Sequence, residues 1–239
     1  MNIPNILFFD IETVSGKRSY MDLSPEMQEH RDHKMKYETS KSENEWLSAQ
    51  DLYTVKAGIF AEFGKIICIS VWFKVKNNDT WNHEIRIKSF SGDDEKKLLE
   101  DFFELLNWHY RTPYTDYKCT QIKDALCGHN IKEFDVPYVC RRALIHRLSL
   151  PVILQVQGKK PWELAHLIDT MAMWKFGDYK HYTKLSLMCS LFDIPTPKDD
   201  ITWADVTRVY REEEGWLVRI QKYCEKDVKA TNLLWEKLK

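Results

Sequence analysis

The segment Asn5–Val14, NILFFDIETV, decides the fold. Its apolar run Ile6, Leu7, Phe8 and Phe9 reads as a buried β-strand, and it is interrupted by Asp10 and, two residues on, by Glu12. Strand side chains alternate between faces, so both carboxylates project from the same one. Neighbouring anions at the end of a buried strand repel each other, and desolvation costs each several kcal/mol unless a cation lies between them. A divalent metal ion is the simplest such cation. The rest of the chain then reads as a scaffold that brings further carboxylates to this pair.

Working outward, Ser15 to Gln50 is a polar stretch rich in Lys, Glu, Asp, His and Ser, read as a surface excursion with one or two helices. Trp46, Leu47 and Leu52 suggest that its end packs back on the body. GKIICISVWFKV, residues 64–75, is β-branched and aromatic and reads as a central strand. HEIRIKSF, residues 83–90, alternates as an edge strand joined to it through the turn-like NNDTWN. SGDDEKKLLEDFFELLNWHY, from Ser91, carries acids in its first turn and an apolar stripe of Leu98, Leu99, Phe102, Phe103 and Leu106, the pattern of a helix docked on the sheet. A short strand ending at Gly128 and a helix from Asp135 to about Arg147 follow. HLIDTMAMW reads as a strand passing into a helix, Thr183 as the cap of a helix stopped by Pro195, and Gly215 as the residue before a last amphipathic helix. Strands first, then helix, strand and helix, predict an α/β sheet of mixed direction flanked by helices.

The chain has 239 residues, 44% hydrophobic and 30% charged, which suits one domain spanning 1–239 with residues 15–50 as a polar insertion. Its formal net charge of -1 provides no overall basic field, so a polyanionic ligand must be held by local lysines and arginines or by metal ions. Six scattered cysteines without a CxxC pair read as reduced core thiols. The amino-terminal run fits neither a signal peptide nor a membrane span, so the expectation is a cytoplasmic protein without a membrane role.

Two more carboxylates join the first pair. In CGHNIKEFDVPYV, Asp135 stands at the start of a helix soon after a strand end, where open α/β sheets place their sites. In KYCEKDVKATNLLW, Tyr223 and Asp227 are four residues apart and share a helical face. Four carboxylates supply about the charge that two magnesium ions need, and a pair of such ions about 3.5–4 Å apart is the usual clamp for phosphodiester cleavage. Asp169 is read as a helix cap or structural carboxylate in preference to a ligand, and His129 and His181 as structural or solvent-exposed in preference to zinc ligands. Arg141, Arg142, Lys175, Lys180 and Lys184 fit a phosphate track and a solvated helix face equally well.

FDIET, NIKEFD and YCEKD, in this order, resemble the three exonuclease motifs of the DnaQ-like (DEDD) 3′-5′ exonucleases, and the tyrosine four residues before the last aspartate resembles the DEDDy subgroup. With FGKIICISV, IDTMAMW, KLSLMCSLFDIP and KDDITWADV, most of the chain is similar to stand-alone predicted exonucleases related to the proofreading domains of family B DNA polymerases. The resemblance implies a ribonuclease H-like fold and two Mg2+ or Mn2+ ions held by Asp10, Glu12, Asp135 and Asp227. It further implies that Tyr223 positions the attacking water and that mononucleotides are released from a single-stranded 3′ end. Thr13, Val14, Asn130 and Phe134 are implied as contacts of the terminal nucleotide. DNA is the first expectation for the substrate. RNA on the same fold is the alternative, as is a non-catalytic module that holds nucleic acid or a polymerase or helicase partner through residues 15–50.

Overall fold

A computed structural model describes residues 5–39, 47–76, 83–111, 113–114, 122–178, 182–195 and 200–239. Trp46, the turn at 77–82, Cys119, Lys180 and His181 lie outside the described residues.

Five strands form one sheet in the order β3-β2-β1-β4-β5, where β1 is Asn5–Ser15, β2 Gly64–Lys76, β3 His83–Ser91, β4 Asp124–Gly128 and β5 Leu167–Asp169. β2 pairs antiparallel with both β1 and β3, whereas β1, β4 and β5 run parallel. The expected edge position of β3 follows from its single neighbour. Along the chain the helices are α1 (Pro25–Thr39), α2 (Ala49–Lys56), α3 (Glu95–His109), α4 (Asp135–Ile145), α5 (Thr170–Lys175), α6 (Leu185–Leu191), α7 (Trp203–Glu212) and α8 (Trp216–Leu238). The mixed five-stranded sheet flanked by helices is the ribonuclease H-like architecture.

Alternation along β1 divides the interior in two. Leu7, Phe9 and Ile11 pack against Leu99, Phe102 and Leu106 of α3 and Val136 and Val139 of α4. On the opposite face, Phe8 meets Val228 of α8 and Val14 meets Ile220 and Cys224 of the same helix. Removing each such side chain from water stabilises the fold by roughly 1.5–3 kcal/mol. Asp10 and Glu12 share the α8 face, so the pleat that fills one side with Leu and Phe turns the carboxylates toward the last helix.

The described residues of the polar stretch are packed on the body. Arg31 of α1 is buried, donates to the Ala49 carbonyl (2.8 Å) and lies over the Tyr20 ring (5.0 Å to the centroid). Tyr53 of α2 accepts the Lys17 N–H (3.1 Å), and Arg211 of α7 donates to the carbonyls of Ser15 and Lys17. Among the described residues five cysteines are free, four of them buried. No described helix is long and apolar enough to cross a membrane.

Candidate active site

Pairing of β1 with β4 ends at Phe8 and Cys127, so Asp10 and Glu12 project beyond the end of the parallel neighbour, where the chain turns away through Gly128 to Asn130. A Cβ at Gly128 would stand 2.8 Å from Ile131 and 3.1 Å from the Phe9 carbonyl, so only glycine lets the turn pass this close to β1. The β1–β2 register shifts between Glu12 and Thr13, a bulge that leaves Ile67 of β2 without a β1 partner directly after the second carboxylate, and pairing then resumes from Thr13 to Ser15.

Asp169 organises the turn. Its carboxylate accepts the backbone N–H groups of Asn130 (3.0 Å), Lys132 (3.2 Å), Met171 (3.0 Å) and Ala172 (3.2 Å), capping α5 and fastening the loop between β4 and α4. Asn130 takes a left-handed conformation there (φ 68°), one that Asn tolerates better than most residues. Asp135 follows at the first turn of α4, and its Oδ1 accepts the N–H of Ile11 at 3.2 Å, between the two β1 carboxylates in sequence.

α8 supplies the remainder. Tyr223 and Asp227 lie one turn apart on its sheet-facing side, both buried, with Cys224 between them. The Cys224 thiol donates to the Asp10 carbonyl (3.4 Å) and to Asp10 Oδ2 (3.6 Å). Ligand atoms of Asp10, Glu12 and Cys224 lie within 4.8 Å of one another. Burial first, and then the Asp135, Asp227 and Glu12 charges, hold the Asp10 carboxyl well above its ordinary range. Asp135 is pushed up to about 7, chiefly by burial. Burial also raises the Cys224 thiol far above its usual value, so it acts here as a hydrogen-bond donor rather than as a thiolate ligand. The Tyr223 phenol is raised by burial and by Glu12, Asp227 and Asp10.

These groups line a cleft of about 630 Å³ that brings together Asp10, Glu12, Asn130, Phe134, Asp135, Tyr223 and Asp227. Ile59, Tyr182, Lys184, Leu185 and Trp203 furnish other parts of the lining, and none of these five belongs to the three carboxylate motifs. α7 was not among the expected helices, yet the chain announces it: Thr202 and Asp205 form a capping box, with the Thr202 N–H and hydroxyl donating to Asp205 Oδ2 at 3.0 and 2.7 Å.

Some expected contacts lie elsewhere. The Thr13 side chain is buried and donates to the Gly58 carbonyl (2.7 Å), and Val14 is fully buried against α7 and α8, so neither side chain lines the cleft. α6 begins after Lys184 with no side-chain cap. Thr183, expected as the cap, instead offers its carbonyl to His129 Nε2 (2.8 Å), and the His129 ring is further held by the Thr170 hydroxyl (2.9 Å), a structural role. Of the basic residues, Arg142 is committed to buried Glu95 in a two-pronged ion pair and Lys175 faces Glu133 at 3.7 Å. Arg141 is exposed on α4, and Lys184 faces the cleft.

No curated protein matches the chain. Residues 59–239 match the family described as a predicted 3′-5′ exonuclease related to the exonuclease domain of PolB. That span contains Asn130, Phe134, Asp135, Tyr223 and Asp227. Asp10 and Glu12 precede it, and the pairing of β1 with β2 and β4 carries them into the same cleft. With well over half of its length matched, the chain belongs to this family of predicted 3′-5′ exonucleases.

Proposed function

We propose that the chain is a metal-dependent 3′-5′ exonuclease that removes nucleoside 5′-monophosphates from the ends of single-stranded DNA. The observation that carries this reading is the convergence of Asp10, Glu12, Asp135 and Asp227, with Tyr223, on one cleft from three elements far apart in sequence. The relation to the exonuclease domain of PolB supports DNA as the substrate.

The donor set fits hard divalent ions. Its oxygens are carboxylate oxygens, and the Asp10 and Asp135 carboxyls are raised because like charges crowd them in a buried place. The hydrogen bonds that Asp10 and Asp135 accept, from the Cys224 thiol and the Ile11 N–H, orient them without a compensating charge. Asp10, Glu12 and Asp227 would hold one ion, and Asp10 with Asp135 a second. Bound magnesium or manganese supplies a more acidic water and neutralises charge on the phosphate and the departing oxygen.

The protein's own groups do the rest. Tyr223, kept protonated by its surroundings, orients the attacking water with its hydroxyl and takes no part as a base. The buried Asn130 Oδ1 has no partner among the described residues and accepts a hydrogen bond from the terminal nucleotide. Phe134 and Trp203 offer rings to its base, and Lys184 brings a positive charge to the scissile phosphate. In the net reaction the oxygen of water bonds to phosphorus, the bond to the 3′ oxygen breaks, and that oxygen takes a proton.

The test is release of mononucleotides from 5′-labelled single-stranded DNA and matched RNA, comparing wild type with Asp10→Ala in magnesium, manganese or chelator. The expected result is stepwise, metal-dependent shortening of DNA from the 3′ end by wild type alone. Full activity of Asp10→Ala would overturn the metal assignment, and preferential loss of RNA would overturn the substrate.

A further inference from the structure

A second groove opens beside the cleft, and Tyr223 lines both. Its volume is about 280 Å³, and in its lining three cations, Arg219, Lys222 and Lys226, face one carboxylate, Asp200. Arg219 is committed: its guanidinium donates twice to Asp200 (2.8 Å each) and also to Glu213, which ties α7 and α8 to the segment before α7 and offsets those acids. Lys222 and Lys226 stand four residues apart on α8, about 6 Å along the helix axis; Lys222 is exposed, and the Lys226 charge also acts on Asp200. The groove also takes in Gly215, whose left-handed φ of 78° lets the chain turn directly into α8. That helix starts without a side-chain cap, so its positive end adds to the same field.

Bound ions at most balance the four carboxylates of the cleft, and a net charge of -1 gives no general attraction for a polyanion. A strand with its 3′ end in the cleft needs a cationic surface for the phosphates that follow, and the basic groove adjoins the cleft across Tyr223. We propose that this groove holds the backbone phosphates of the substrate strand on the 5′ side of the bond that is cut, with Lys222 and Lys226 as the phosphate contacts. The inference rests on the exonuclease reading and specifies the path of its strand.

The experiment is fluorescence anisotropy of labelled single-stranded DNA of increasing length, with calcium in place of magnesium, across a salt series. It compares wild type, Lys222→Ala, Lys226→Ala, the double variant, and Lys237→Ala on the exposed last turn of α8 as the control. The double variant is expected to bind a dodecamer about tenfold more weakly, with a salt slope shallower by about 1.4, the counterion release of two phosphate contacts to a single strand. Lys237→Ala is expected to match wild type. Each single variant gives half of the slope change, so the outcome stands even where the double variant folds poorly. Unchanged affinity and slope overturn the proposal. So does an equal loss for a free mononucleotide, which would make the groove a product site. Binding that depends on Lys222 and Lys226 without any cleavage would sink the exonuclease reading and leave the groove. Cleavage with the same kcat/KM in the double variant would do the reverse.

Discussion

Tyr223 is the residue at which the chemistry is most sharply constrained. Buried beside Glu12, Asp227 and Asp10, its phenol is less acidic than in water, so at any working pH it is a hydrogen-bond donor. A group that only orients water contributes less than one that anchors an ion. Tyr223→Phe should therefore lower kcat by about tenfold, and Asp227→Asn by about a thousandfold or more. Single-turnover rates on one labelled oligonucleotide decide it: equal losses would assign proton transfer to the phenol. The rates of wild type and Tyr223→Phe should also rise or fall together between pH 7 and 9, because no Tyr223 ionisation falls there. The spacing of Tyr223 and Asp227 was legible because one helical turn brings positions four apart onto one face. The contact from Cys224 to Asp10 was not, since it joins positions 214 residues apart and depends on how α8 lies across β1. Thr13 shows the same limit in reverse. Its place beside the motif suggested a ligand contact, but strand alternation turns its side chain to the face opposite the carboxylates, where it bonds the Gly58 carbonyl.

Among the elements, α7 carries the largest difference between sequence and structure. β1, β2, β3, α3, α4 and α8 were legible because each carries its apolar pattern over nine or more positions, whereas β4 and β5, five and three residues long, showed only as short apolar pieces. α7 is ten residues long, so its periodic signal is short, and its clearest mark is the Thr202/Asp205 box. That box fixes the helix start and with it Trp203, which lines the cleft. Thr202→Ala removes the side-chain half of the cap and should cost about 1 kcal/mol of stability, lowering the melting temperature by a few degrees, whereas Thr202→Ser should behave as wild type. Identical melting of Thr202→Ala and wild type would show that the box contributes nothing to the fold. Ile59 and the Tyr182–Leu185 stretch, about 120 residues apart in sequence, line the same cleft, and of these only Lys184 drew attention, as a cation; nothing in the chain joined it to Ile59, because they share only a position in the packed molecule.

At the scale of the whole molecule, two buried groups, one just before β5 and one at the start of α4, pull stability in opposite directions as pH changes. His166, fully buried, donates from Nε2 to the Ile153 carbonyl (3.1 Å) and packs edge-on to Tyr114, and burial lowers its pKa from 6.5 to about 4. The unfolded chain thus takes up a proton first. Stability from neutral His166 is full above pH 6.5 and is lost as pH falls toward 4, by about 3 kcal/mol in all. Asp135 has the opposite sign. Its folded pKa of about 7 lies above the ordinary 3.8, so the stability of its neutral form is full below 3.8 and is lost as pH rises through 7. In chelator, His166→Gln should flatten the acid limb of a melting-temperature profile between pH 6.5 and 4. Asp135→Asn should gain on wild type progressively between pH 4 and 7 and keep that gain above it, because an amide keeps an acceptor for the Ile11 N–H without the charge. Magnesium added at pH 8 should raise the melting temperature of wild type, since a ligand bound by the folded state alone stabilises it, and should do so much less for Asp135→Asn. Parallel profiles for Asp135→Asn and wild type in chelator would mean that the four carboxylates do not strain the metal-free fold, and the main physical argument for a cation among them would fail.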